Sequence, residues 1–287
     1  MGILYVVATP IGNLSDMTFR AIETLNNVKY IAAEDTRHLL PLLKRYDIKG
    51  QKLISLHKFN ESKKCDLILD KIINEDCDVA LVSDAGTPCI SDPGSLLVKA
   101  AWQRDIKVIG IPGASAATLA VSVSGLDVNK FVFLGFFPKE NKQKKATINL
   151  MQSTDIKSYV IYESPLRILD TLRYLHLNFP DAIGMVGNDL TKMFESTVYG
   201  SLEFIIEKLE ANEFVEKGEY VLVIEPGYIH STESIDNISV EALLVNEMVL
   251  NNFTLKESIK SLANKNVYSK NEIYKASLIL KDIIKTI

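Results

Sequence analysis

The sequence predicts an α/β protein of two α/β domains followed by a small helical module, and three observations carry that reading. Apolar runs of strand length alternate with helical patterns over the first part of the chain, a second such series follows residue 117, and beyond residue 237 only helical patterns remain. A chain of 287 residues that is 47% apolar and 24% charged is long enough for more than one core.

The first series places strands at 3–7, 30–33, 53–56, 79–82 and 108–111. Helices carrying Ile22, Leu25 and Val28, then Ile68, Ile72 and Ile73, lie among them. Continuous apolar strands separated by helices are what a parallel sheet covered on both faces requires, so residues 1–117 read as a doubly wound domain. The second series has strands at 131–134, 159–162, 182–186 and 220–224, and residues 118–228 read as an α/β domain with a mixed sheet. Residues 227–237 turn polar, as a linker does. The module at 238–287 is helical. Thr254-x-x-Glu257 and Ser269-x-x-Glu272 have the form of capping boxes, and Ile259, Leu262, Ala263, Ile273, Ala276 and Ile279 supply inward faces. Its outer half is basic: residues 251–287 hold seven lysines against Glu257, Glu272 and Asp282, whereas residues 229–250 hold four acids and no Lys or Arg. A solvated helical face and a nucleic-acid contact both account for that pattern.

Composition narrows the partners. A net charge of −4 excludes a chain coated in basic residues, so any nucleic acid would meet a local basic patch. Cys65, Cys77 and Cys89 lack CxxC spacing, and His38, His57, His176 and His230 lack ligand spacing, so no metal site and no disulfide framework is expected. No basic leader opens the chain and no apolar run reaches membrane-spanning length, which together with the cysteine usage predicts a cytoplasmic protein with no membrane partner.

The functional signal lies at the carboxyl ends of strands. The stretches 81–94 and 111–116 each leave an apolar strand and break into Gly, Pro, Ser and Asp. Coming from neighbouring parallel strands, two such loops would form one crevice for a small molecule, with Asp84 fixing its polar groups. Residues 8–18 follow the first strand without a GxGxxG or GxxxxGK[ST] pattern and suit a strand-to-helix turn capped by Asp16 or Ser15. Ala33-Glu34-Asp35-Thr36-Arg37 emerges at the same sheet edge, as a surface turn or a substrate contact. Tyr162-Glu163-Ser164-Pro165-Leu166-Arg167 and Asp189-Leu190-Thr191-Lys192 again put charge just after strands, with Ser164 before Pro165 suited to a helix start. Lys139, Lys142, Lys144 and Lys145 read as a basic loop after Gly135-Phe136-Phe137-Pro138.

Taken in order, Ala8-Thr9-Pro10-Ile11-Gly12-Asn13-Leu14, Ala33-Glu34-Asp35-Thr36-Arg37, Ser83-Asp84-Ala85-Gly86-Thr87-Pro88, Ser91-Asp92-Pro93-Gly94, Ile111-Pro112-Gly113-Ala114-Ser115-Ala116, Ser124-Gly125-Leu126 and Gly135-Phe136-Phe137-Pro138 resemble the ribosomal RNA small subunit methyltransferase I family of the tetrapyrrole methylase superfamily. The resemblance runs through both α/β domains and into the helical module. It implies two domains of tetrapyrrole methylase type with the cofactor cleft between them, and S-adenosylmethionine-dependent 2′-O-methylation of a cytidine ribose in 16S ribosomal RNA by a homodimer. It carries cofactor binding onto Pro10, Asp84, Ala85, Gly86, Thr87, Ser115, Ala116, Tyr162 and Leu190. Leu166 stands where the family usually has His, and Asn188-Asp189 where it usually has Arg-Glu. Both departures lie in the second domain and leave the cofactor assignment intact.

Methyl transfer to a ribose hydroxyl needs an in-line oxygen and a group to take its proton. Asp35, Glu34, Glu163 and Lys192 are candidates for that group, with Arg37 and Arg167 as phosphate clamps, and Asp35 with Arg37 is the preferred substrate-side pair. A tetrapyrrole or other small-molecule methyltransferase and a non-catalytic RNA-binding relative are the alternatives. The lysine-bearing tail favours RNA.

Overall fold

The computed structural model describes residues 2–227, 239–251, 253–264 and 270–286. The chain has two compact units, Met1–Gly227 and Tyr228–Ile287.

The first unit begins with strands β1 (Leu4–Val7), β2 (Tyr30–Ala33), β3 (Lys52–Ser55), β4 (Val79–Val82) and β5 (Val108–Ile111). All pair in parallel, in the order β3-β2-β4-β1-β5. Alternate side chains feed two cores, because successive residues of a strand point to opposite faces. Tyr30, Ala32, Val79 and Leu81 pack with Ile68, Leu69 and Leu97 from α3 (Glu61–Asn74) and α4 (Ser95–Gln103). Ile31, Ala33, Ala80 and Val82 pack with Ala21, Leu25, Leu39 and Leu42 from α1 (Phe19–Asn27) and α2 (Thr36–Arg45). The sheet is therefore doubly wound. Its strand order corrects one expectation: β4 and β5 are not neighbours, since both pair with β1, which lies between them.

The helix after β5, α5 (Ala116–Val123), turns to the second sheet, where Ala117 and Ala120 pack on Val160, Val221 and Val223. That sheet contains β6 (Phe131–Phe136), β7 (Ser158–Glu163), β8 (Ile183–Asn188), β9 (Ser196–Ser201) and β10 (Tyr220–Glu225), in the order β6-β7-β10-β8-β9. Only β6 and β7 are parallel, so the sheet is mixed. Its other face is covered by α6 (Asn141–Ser153), α7 (Ile168–Asn178) and α8 (Leu202–Glu210), through Ile148, Met151, Leu172, Leu175 and Ile205.

Local chemistry departs from the sequence reading at several ends. Asn13 accepts from Ser15 N–H at 3.0 Å and Thr18 from Ala21 N–H at 3.1 Å, so these residues, and not Asp16 or Ser15, cap the turns after β1. Asp35 opens α2 as its N-cap, accepting from Arg37 N–H at 2.9 Å, where a surface turn was one expectation. Ser164 and Pro165 lie in a turn ahead of α7, which starts at Ile168. Lys142, Lys144 and Lys145 belong to the first turns of α6 rather than to a loop.

In the second unit, α9 (Val240–Asn251), α10 (Leu255–Asn264) and α11 (Lys270–Thr286) enclose Leu244, Leu262, Ile273, Ala276 and Leu280. The Thr254 capping box forms, with Glu257 accepting from Thr254 N–H at 2.8 Å. Residues 228–237 of the polar linker, His230 among them, and Ser269 of the second capping box lie outside the described residues.

Candidate functional site

Where the loops after β1, β4 and β5 leave the first sheet, they are stitched to one another. Thr9 and Gly86 exchange two backbone hydrogen bonds, at 2.9 and 3.0 Å. The Thr87 hydroxyl donates to Ala114 O at 3.0 Å. Gly113 approaches Ala8 so closely that a Cβ would stand 2.9 Å from the Ala8 Cβ. The chains leaving β1 and β4 diverge from neighbouring strands, which is the crevice-forming arrangement of open α/β sheets. Gly86 takes φ +77°, which glycine adopts without cost, and a Cβ there would stand 3.2 Å from Ile11 Cγ2.

This crevice and the second sheet enclose a cavity of about 360 Å³. Ala85, Gly86, Thr87, Ser115 and Ala116 form one wall, Tyr162 and Leu190 the other, all seven being among the expected cofactor residues. Ile11, Ile90 and Val221 add apolar surface. Tyr162 joins the walls, since its hydroxyl accepts from Ala117 N–H at 3.0 Å, and burial raises its pKa. Leu190 is presented by a strained turn in which Asp189 and Thr191 have φ of +50° and +70°, unusual for any side chain and costly for a β-branched one.

Two expected cofactor residues do not lie on the wall. Pro10 precedes Ile11, which does. Asp84 points towards α2: its Oδ1 accepts from Asp35 N–H at 2.9 Å and its Oδ2 lies 3.0 Å from His38 Nδ1. Asp84 therefore anchors the start of α2.

The six substrate-side candidates separate. Asp35 and Arg37 are brought together, but they face each other: Arg37 Nη2 is 2.6 Å from Asp35 Oδ2 and Nε 3.0 Å from Oδ1. These bonds hold the Asp35 carboxyl far below the usual range, while the Arg37 side chain stays 85% exposed. Glu163 is buried and paired, with Ser164 N–H at 2.7 Å, Arg167 Nε at 2.8 Å and the Thr171 hydroxyl at 2.7 Å. Arg167 also donates to Phe137 O at 2.8 Å, so it fixes loops rather than reaching outward. Burial works against the Lys192 ammonium, but Asp189 at 2.7 Å and Glu219 at 2.9 Å outweigh it and raise its pKa, so it stays charged. Glu34 is shifted upward, by burial first and then by Asp84 and Asp92.

Sequence reasoning passed over Asp92, which lies on the cavity wall, and Glu61, which is buried on α3 and accepts from Gly94 N–H at 2.9 Å and Leu96 N–H at 2.8 Å. Glu61 thus caps α4 from another helix. No local pattern signals that.

Comparison with known proteins places this geometry. The model of the Tetrapyrrole (Corrin/Porphyrin) Methylases matches residues 3–205. The chain is 46% identical to a Ribosomal RNA small subunit methyltransferase I of Hydrogenobaculum sp. (strain Y04AAS1), over 77% of this chain and 94% of that protein. It is 38% identical to the protein of that name from Haemophilus influenzae, over 96% of each, and 40% identical to the one from Halalkalibacterium halodurans, over 95% of this chain and 93% of that protein. Among solved structures, a uroporphyrin-III-C-methyltransferase from Thermus thermophilus superposes with a TM-score of 0.54 at 17% identity, covering 79% of this chain and 95% of that one. A diphthine synthase does so with 0.58 at 16%, covering 78% and 90%. The structural matches share the fold alone. With whole-length relatives of one name and a family model that covers the first sheet and reaches through β9 of the second, the chain belongs to the ribosomal RNA small subunit methyltransferase I family of tetrapyrrole methylases.

Proposed function

We infer that the protein transfers a methyl group from S-adenosylmethionine to 16S ribosomal RNA of the small subunit, and that the acceptor is the 2′-oxygen of a cytidine ribose. The observation that carries this reading is the cavity at the carboxyl ends of β1 and β4, in a chain that matches relatives of that one name over nearly its whole length. Similarity to the tetrapyrrole-methylating neighbour is confined to fold, at 17% identity, which favours RNA over a tetrapyrrole.

The residues present suit the cofactor. The volume falls in the range of small-ligand sites, the walls at Ile11, Ile90, Ala116, Leu190 and Val221 are apolar, and Gly86 leaves backbone open to contact. When bound, the cofactor supplies an electrophilic methyl group on a sulfonium. The protein's part is to hold the acceptor oxygen in line and keep water out, and positioning of this kind accounts for about 7–11 kcal/mol of a barrier at best.

On the substrate side, we assign Arg37 to a phosphate of the RNA, since its guanidinium is exposed and held in a fixed direction by the two oxygens of Asp35. Asp35 is then a positioning residue. Glu163, through Arg167 and Thr171, shapes the Ser164–Pro165 edge of the cavity, and Lys192 ties Asp189 to Glu219 at the opposite edge. The lysines of the second unit add a sequence-independent attraction for RNA. We place the protein in the cytoplasm as a homodimer; among the described residues no helix is long and apolar enough to cross a membrane, and the exposed Met193 and Phe194 offer apolar surface for a second copy.

The test is transfer of tritiated methyl from S-adenosylmethionine to small ribosomal subunits taken from a strain without the modification, beside naked 16S RNA. Label at a cytidine 2′-oxygen is expected. Label on a tetrapyrrole, and none on RNA, would sink the reading.

A further inference from the structure

Three carboxylates stand on the cavity wall: Asp92, Glu163 and Glu219. Glu163 is paired with Arg167, its Oε1 accepting from Ser164 and Arg167 and its Oε2 from Thr171. Glu219 is 73% exposed and paired with Lys192. Asp92 differs from both. It is half-buried and forms no ion pair with any described residue.

The titratable groups that share an electrostatic influence with Asp92 are Glu34 from the end of β2, Asp84 and Cys89 from its own loop, and Tyr162 from β7. None of them is a cation, and His38 on α2 is held by Asp84. Burial raises the Asp92 pKa, the Ser83 hydroxyl opposes this, and the Asp84 charge adds to it. The turn that carries Asp92 is fixed from outside, because buried Glu61 clamps the N–H groups of Gly94 and Leu96. Asp92 therefore stands on the cavity wall without a cation beside it among the described residues, on a turn whose backbone Glu61 holds in place.

We propose that Asp92 is the catalytic base, taking the proton of the acceptor hydroxyl as its oxygen attacks the methyl carbon. The proposal rests on the methyl-transfer reading above. An O–C bond forms and the C–S bond breaks, its electron pair staying on sulfur, so the sulfonium charge disappears. The hydroxyl proton ends on Asp92 and passes to solvent once product leaves. A carboxylate whose surroundings favour the proton is better matched to this task than Asp35, which Arg37 holds ionised.

The experiment uses the full chain, tritiated S-adenosylmethionine and small subunits lacking the modification, in single turnover across pH, with donor affinity measured separately by calorimetry. Asp92→Asn is expected to slow transfer by about 10²- to 10⁴-fold, the usual contribution of a general base, with donor affinity unchanged and the parent's acid limb gone from the pH–rate profile. Asp92→Glu should recover part of the rate and shift that limb. Transfer by Asp92→Asn at the parent rate overturns the proposal, as does a loss of rate matched by an equal loss of donor affinity, which would make Asp92 a counter-charge for the donor. If Asp92→Asn does not fold, an unshifted limb in Asp92→Glu overturns it instead. A parent protein that labels no RNA overturns the substrate reading and this proposal with it, whereas an active parent and an equally active variant overturn the proposal alone.

Discussion

Gly86→Ala separates what the cavity loop does for the fold from what it does for the ligand. Gly86 has φ +77°, where an L-residue costs about 1–2 kcal/mol. The methyl group also restricts the unfolded chain, which offsets about 0.4–1 kcal/mol, so a net loss near 1 kcal/mol is expected. Gly125 is the control: its φ is +68° and nothing lies within 4 Å of the position a Cβ would take. Gly125→Ala should lose a similar amount of stability through strain alone. At Gly86 the new Cβ would also stand 3.2 Å from Ile11 Cγ2, tight enough to displace that cavity wall by a few tenths of an ångström. Whatever part of the strain the free loop sheds by relaxing is absent from the stability loss and must be restored to hold the donor, so a loss of affinity of up to about 30-fold is expected. Urea melts measure the first effect and calorimetry with S-adenosylmethionine the second. Equal destabilisation of both variants with parent-like affinity in Gly86→Ala would refute the placement of the donor against this loop.

The remaining predictions concern the surrounding frame. Glu61→Ala leaves the N–H groups of Gly94 and Leu96 without their acceptor inside the protein, and a loss of about 2–4 kcal/mol is expected in urea melts, with Glu61→Gln losing less because an acceptor oxygen remains. Lys29, Tyr30 and Lys71 hold the Glu75 carboxyl down at about 2 against an ordinary 4.5, so its contribution to stability is present above pH 4.5 and is lost as pH falls towards 2; the difference between parent and Glu75→Gln should vanish over that window in acid melts. Arg37→Ala should weaken RNA binding and reduce its salt slope by about 1, with donor affinity unchanged, as filter binding at several salt concentrations would record.

The alternation of layers was legible in the sequence because β2 and β4 are apolar on both faces, which only a sheet buried on both sides demands. Two elements were not. The helix α2 has Pro41 inside it and starts in a polar stretch, so its pattern is masked, and β9, with the sequence STVYGS, is an edge strand paired only to β8, with little apolar signal to give. Neighbourhood was not legible either. Sequence order suggested that β4 and β5 adjoin, whereas β1 separates them and itself supplies the third loop of the cavity.

The same limit governs the chemistry. Glu34, Asp35 and Glu163 read as candidate bases and Asp84 as a cofactor contact, while Asp92 was passed over, because type and position near a sheet edge are alike for a helix cap, an anchor and a base. What distinguishes them is where their acceptor atoms are spent. Asp35 is spent on Arg37 and on the start of α2, and Asp84 on the Asp35 N–H and His38, both partners belonging to a helix the sequence pattern concealed. Glu163 is spent on Thr171, eight residues on and one helix away. Each pairing removes a carboxylate from the list by ordinary structural demand. Of the carboxylates on the cavity wall, the proposed base is the one whose own turn is secured by Glu61, a distant residue that takes over the capping of α4.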